Sequence, residues 1–136
     1  MTEATKFPDK PTTSQRFNNG LQTRRDVLGN EYVDAALHNA TDYSWPMQQL
    51  VTEYCWNEIW NRSGLSRRDR SILNLGMISA LGRNHELKLH IRGAINNGVT
   101  KEEIREIMMQ IAVYCGVPAG IDSFRITEDV FAEMRI

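Results

Sequence analysis

The chain has 136 residues, enough for one buried core and too few for two independent ones. With 41% hydrophobic residues, 24% charged residues and a formal net charge of −1, it reads as an ordinary globular protein. That balance leaves no electrostatic footprint for nucleic acid or an anionic membrane surface, and no apolar run approaches membrane-spanning length, so neither partner is expected. The polar start MTEATKFPDKPTTSQ lacks the hydrophobic stretch of a secretory signal, which predicts a cytoplasmic protein. Cys55 and Cys115 stand alone in apolar sequence with no CxxC and no metal-ligand spacing, so each reads as a small buried hydrophobe and no metal is expected.

Residues 1–14, with Pro8 and Pro11 among polar side chains, read as a flexible arm, and residues 15–136 as one helical domain. A short helix is predicted over Arg16 to Leu28, weakened by Gly20 and closed by Gly29. Asn30 is the expected N-cap of a second helix carrying Tyr32, Val33, Ala36 and Leu37 at helical spacing. Pro46 suits the first turn of a third, along which Met47, Leu50, Val51, Tyr54, Cys55, Ile59 and Trp60 recur every three or four residues until Gly64. Trp56 and Trp60 read as core or interface. Ser66 and Asp69 form a variant capping box opening a segment that is apolar on nearly every side from Ile72 to Leu81. This segment is predicted to be the most buried helix, needing more cover than one small domain offers. Asn84 is a possible cap of the next helix, which NNG stops, and Thr100 with Glu103 makes a capping box for another. Pro118 then restarts the chain into a last amphipathic helix with Phe124, Val130 and Phe131 as packing candidates. No strand is predicted, and the fold class is all-α with about six to seven helices.

The candidate chemistry lies in NHELKLHIRGAINNGVT, Asn84 to Thr100. Glu86 and His90 are four residues apart and share one helix face, with Arg83 a turn further back on about the same line. Leu87, Ala94 and Ile95 border that line, which sets His90 at the edge of an apolar stripe. A carboxylate within reach of an imidazole fixes its tautomer and raises its pKa, as a general acid working near neutral pH requires. The same spacing also fits an ordinary core-edge pair. Asp34 and His38 repeat it on a more polar helix and read as surface.

The extended pattern discriminates further. The stretches WNRSGLSRRDRS, HELKLHIRGAINNGVTKEEIRE and YCGVPA, within Arg24 to Val130, resemble the carboxymuconolactone decarboxylase family, and most closely its 4-carboxymuconolactone decarboxylase branch. The resemblance implies the all-α fold of the alkyl hydroperoxidase D proteins, assembled as homotrimers or homohexamers. In the peroxidase relatives a CxxC precedes a histidine; matched through His90, the two thiol positions fall on Arg83 and Glu86, which argues against thiol-dependent peroxide reduction. The decarboxylase branch implies cofactor-free conversion of a γ-carboxy butenolide into 3-oxoadipate enol-lactone and CO₂ in aromatic catabolism. On that basis His90 is the proton donor or the hydrogen-bond donor to a dienolate oxygen, and Glu86 orients it or relays the proton. Arg83 is the first choice for a substrate carboxylate, with His85, Tyr114 and Cys115 as further substrate-binding candidates. Two other readings stay open: a cofactor-free lyase or isomerase for another unsaturated carboxylic acid or lactone, including one of secondary metabolism, and a helical oligomer serving as a binding module.

Overall fold

The computed structural model describes residues 14–136, so the arm expected at residues 1–14 lies, apart from Ser14, outside the described residues. These fold into seven α-helices and one π-helical stretch, with no strand among the described residues. None of the helices is long and apolar enough to cross a membrane. Two compact units divide the chain, one ending at Gly64 and the other beginning at Leu65.

The first unit contains α1 (Gln15–Leu28), α2 (Asn30–His38) and α3 (Trp45–Leu50), the last running on into the π stretch (Val51–Ile59). Ser14 caps α1, its Oγ accepting from the Phe17 amide at 3.0 Å. Gly29 both closes α1 and caps α2, so Asn30 is the first helical residue of α2 rather than its cap. In the third predicted helix the 3.6-residue stripe gives way to a different burial pattern. Thr52, Trp56 and Trp60 are buried at a spacing of four, which the wider π turn keeps on one side, while Met47, Leu50, Tyr54 and Ile59 are exposed. The amide of Trp60 donates to the Cys55 carbonyl five residues back, at 3.0 Å, and the Trp56 and Trp60 rings stack at 4.8 Å.

Gly20 is the contact point between α1 and this stretch. A Cβ there would lie 2.0 Å from the Thr52 carbonyl oxygen, so the residue that weakens α1 by propensity is what lets the π backbone approach it. Eight of the fourteen residues of α1 are buried, among them Arg24, whose Nη1 donates to Gln48 Oε1 at 2.9 Å.

The second unit is built from α4 (Arg67–Leu81), α5 (Asn84–Asn96), α6 (Lys101–Cys115) and α7 (Val117–Met134). Its helix starts follow the sequence signals: Ser66 Oγ accepts from the Asp69 amide at 3.0 Å, and the Thr100–Glu103 capping box is complete, with both bonds at 3.1 Å. Arg83, not Asn84, holds the cap position of α5 and offers no side-chain bond there. Leu75 of α4, Leu87 and Ile91 of α5, Ile104 and Met108 of α6 and Val130 of α7 form the core. Fully burying each of the larger side chains is worth about 1.5–3 kcal/mol.

The prediction that Ser66 to Leu81 is the most buried helix is corrected by the structure. Only Ser71, Leu75 and Ser79 of α4 are buried, all on one stripe, whereas Leu73 and Met77 are exposed and Leu81 is 72% exposed; α1 is buried far more. Three neighbours cannot surround a helix that is apolar all round, so one face of α4 stays open.

Replacing Gly20 by Ala is expected to destabilise the protein by roughly 3 kcal/mol through the clash with the Thr52 carbonyl. Gly76→Ala, on α4 with nothing within 4 Å of the added methyl, is expected to stabilise it by up to about 1 kcal/mol. Urea titrations of the two variants against the parent check both values.

Candidate active site

The helix that carries the candidate chemistry owes its placement to its two ends. Gly82 closes α4 in the left-handed region at φ 69°, a conformation a side chain would disfavour, and the chain turns back within two residues. At the far end of α5, Asn97 Nδ2 donates to Ser71 Oγ at 2.9 Å and to the Arg67 carbonyl at 3.3 Å, joining the close of α5 to the first turns of α4. The two helices therefore run antiparallel. Leu87, Ile91 and Ala94 face the core and fix the rotation of α5 about its axis.

With that rotation set, His90 falls half-buried beside α4, its Nδ1 lying 3.5 Å from Asn74 Nδ2. Glu86, one turn back, is exposed, as are Arg83 and His85. Burial pushes the imidazole pKa down to about 4, while the Glu86 charge acts in the opposite direction. The expected sign of the Glu86 effect is therefore present, but the expected net rise is not: removal from water outweighs a carboxylate that remains solvated. The ring is neutral at neutral pH, a state in which it donates a hydrogen bond without carrying charge. Lys88 and Arg92, on another side of α5, both pair with Glu133 of α7, Lys88 at 2.6 Å.

A cavity of about 470 Å³ lies between α4 and α6. Ile72, Gly76, Met77, Ile107 and Ile111 supply most of its wall, and Gln110, Tyr114 and Cys115 its polar groups. Two of the six residues singled out in the sequence, Tyr114 and Cys115, thus share this cleft, and Tyr114 is 82% exposed. Arg83, His85, Glu86 and His90 are not part of its lining. The size suits a small organic acid and the wall is mostly apolar, with Leu73, Met77 and Tyr114 leaving it open to solvent. Among the described residues no three His, Cys, Asp or Glu side chains converge as a metal-binding group. Cys55 is half-buried and its thiol pKa is raised by burial, whereas Cys115 is exposed rather than buried as its apolar sequence suggests.

Asn74 and Gln110 escaped the sequence reading. The signal for Asn74 was present, an amide within the apolar run SILNLGMISAL, but only the pairing of α4 with α5 shows what it meets.

Residues 46–129 match the model of the carboxymuconolactone decarboxylase family, a span containing α4, α5, α6 and all six candidate site residues. The chain belongs to the carboxymuconolactone decarboxylase family. It is 49% identical over 118 residues to the nitrosuccinic acid decarboxylase npaB of Metarhizium robertsii, covering 87% of this chain and 82% of that protein. It is 38% identical over 122 residues to the 4-carboxymuconolactone decarboxylase of Acinetobacter baylyi, covering 90% and 91%. Both relatives are decarboxylases, and this member of the family is a carboxy-lyase.

The buried imidazole has a consequence for stability. His90 has a folded-state pKa of about 4 against an ordinary 6.5, so the unfolded chain binds the extra proton first. Its cost is absent above pH 6.5, grows as pH falls, and is complete below about 4, at of order 3 kcal/mol. Urea denaturation from pH 7 to 4.5 is expected to show the parent losing stability over this window and His90→Gln losing much less.

Proposed function

We propose that the carboxy-lyase acts on a small dicarboxylate whose departing carboxyl is attached next to a built-in electron acceptor, with nitrosuccinic acid as the substrate. The observation that carries the choice is the 49% identity to a nitrosuccinic acid decarboxylase over 87% of the chain. In nitrosuccinate, breaking the bond between the nitro-bearing carbon and its carboxylate releases CO₂ and sends the bonding pair into the nitro group as a nitronate. A proton from water then restores the C–H bond to give 3-nitropropanoate, and the second carboxylate is untouched. A second reading, 4-carboxymuconolactone, is favoured by the 38% identity that spans 91% of a decarboxylase for that compound. There the pair flows through the conjugated double bond into the lactone carbonyl, giving a dienolate that is protonated on carbon to the enol-lactone. The two reactions make the same demand: stabilise an oxygen that gains charge, hold the retained carboxylate, and keep the departing one poorly solvated. Neither needs an external electron acceptor.

His90 is assigned to the oxygen that gains charge. Its low pKa supports the role of neutral hydrogen-bond donor over that of proton donor, since a neutral imidazole gives up its remaining proton only with great difficulty. Glu86 tunes that donor through its charge, and Arg83 is assigned to the retained carboxylate, which a guanidinium can grip with two parallel bonds. The test is purified protein with racemic nitrosuccinate and, in parallel, freshly generated 4-carboxymuconolactone, following CO₂ above the spontaneous background. A higher kcat/KM is expected for nitrosuccinate. His90→Ala is expected to lower kcat by about 100-fold or more, and Arg83→Ala to act mainly on KM. A folded His90→Ala protein working at the parent rate overturns the assignment, and a preference for the lactone selects the second reading.

Assembly as a homotrimer or homohexamer belongs to the same proposal. Its support is the exposed apolar side chains Leu73, Met77 and Leu81 on α4 and Met109, Val113 and Tyr114 on α6. Light scattering at micromolar concentration is expected to give three or six times the chain mass of 15.6 kDa, and a monodisperse monomer refutes it.

A further inference from the structure

We propose that Arg24 is the centre of a binding site in the first unit for the carboxylate of a small organic acid, gripped in two parallel bonds by the Nε and Nη2 edge of its guanidinium. The site is built from α1, α2, α3 and the π stretch alone, and it does not rest on the substrate assigned above.

The starting observation is a buried cation without an anion. Arg24 is 5% exposed, and among the described residues no carboxylate pairs with it. The next residue shows what is missing: Arg25, also buried, holds Asp34 Oδ1 through Nε at 2.8 Å and through Nη2 at 2.6 Å. Two adjacent arginines of one helix are buried, and only one has its counter-charge on the chain. An arginine cannot escape by losing its proton, and a buried charge left uncompensated is costly. Burial pushes the Arg24 pKa down, as expected of a cation short of compensation.

The bonds that Arg24 does make point the same way. Only Nη1 is used, donating to Gln48 Oε1 at 2.9 Å and to Thr52 Oγ1 at 3.4 Å. A guanidinium can only donate, so Gln48 accepts through its oxygen and keeps its NH₂ as a further donor. Nε is buried with no acceptor. Nε and Nη2 together form the side of the group that takes a planar carboxylate with two bonds. The titratable neighbours whose charge reaches Arg24 are the Tyr32 phenol and the Cys55 thiol. Groups of both kinds are uncharged at neutral pH, and burial raises the Cys55 pKa further. The surroundings are therefore rich in donors and empty of anions. They are not sealed, since Gln48, Tyr32 and Cys55 are each half-buried. They are also preorganised: the close approach at Gly20 fixes the backbone of Thr52, which with Gln48 holds the fork before any ligand arrives.

The test is urea denaturation of the full chain at pH 7 in sodium succinate against sodium chloride of equal ionic strength. It is made on Arg83→Ala, which removes the other arginine assigned to a carboxylate. Saturable stabilisation is expected, the folding constant rising about 100-fold when succinate reaches about 100 times its Kd, whereas exclusion of a salt from the surface does not saturate. Adding Arg24→Met keeps the bulk without the charge and is expected to abolish the gain. Adding Arg24→Lys keeps the charge without the fork and is expected to weaken succinate about 10-fold. Absence of a saturable gain in Arg83→Ala overturns the proposal, as does a gain that Arg24→Lys or Arg24→Met leaves unchanged. The first of these results decides even if a variant at position 24 does not fold. The source of the acid is read from the single variant Arg24→Lys: a KM for nitrosuccinate raised about 10-fold at unchanged kcat identifies the substrate's own carboxylate, and an unchanged KM a separate acid. Because the stability readout needs no turnover, a protein inactive on nitrosuccinate sinks the substrate reading and leaves this site standing.

Discussion

The antiparallel packing of α5 on α4 is the constraint on which the candidate chemistry depends. The left-handed turn at Gly82 marks one end, the two Asn97 bonds to Ser71 and Arg67 the other, and the Asn74–His90 contact lies between. Each hydrogen bond contributes only about 1 kcal/mol net, less than burial of Leu87 or Ile91 beside it. The division of labour follows from these magnitudes. Apolar burial holds the two helices together without caring which residue meets which, and the directional bonds choose one register among those that burial alone would permit.

Register matters because His90 lies at a boundary. One residue further round the helix a side chain is in the core, as Ile91 is, and one turn back it is in water, as Glu86 is. At the boundary the ring loses enough hydration to become neutral while staying near a solvated carboxylate. The competition between these two effects is unequal: the glutamate's field is screened by the water around it, whereas burial strips an imidazolium of its hydration, and the second effect is the larger. A neutral donor suits a decarboxylation in which charge moves from a carboxylate to another oxygen of the same molecule, because no net charge needs to be created on the protein. The same burial explains why acidification is expected to weaken the fold.

The other unit shows the same principle through backbone shape. The π stretch alters the burial period from the sequence-predicted 3.6 to four, which buries Thr52, Trp56 and Trp60 and turns Tyr54 and Ile59 outward. Its backbone comes so close to α1 that only a glycine fits at position 20. What a propensity scale counts as a weakness is therefore the condition for this close approach.

The sequence by itself determined the features that depend on neighbours along the chain: the all-α class, the caps at Ser66 and Thr100, the stops at Gly29 and Gly98, the proline restart at Pro118, and the shared face of Glu86 and His90. Its extended pattern also identified the family. These were legible because capping bonds and helix faces are set by residues three or four apart. The tertiary structure decided what depends on residues far apart in the chain. Asn74 meets His90 across sixteen residues, Gly20 meets Thr52 across thirty-two, and the net sign of the His90 shift depends on how much water several helices together remove. Spacing along one helix fixes which charge is near a ring, but only packing fixes the dielectric between them, and here the dielectric wins.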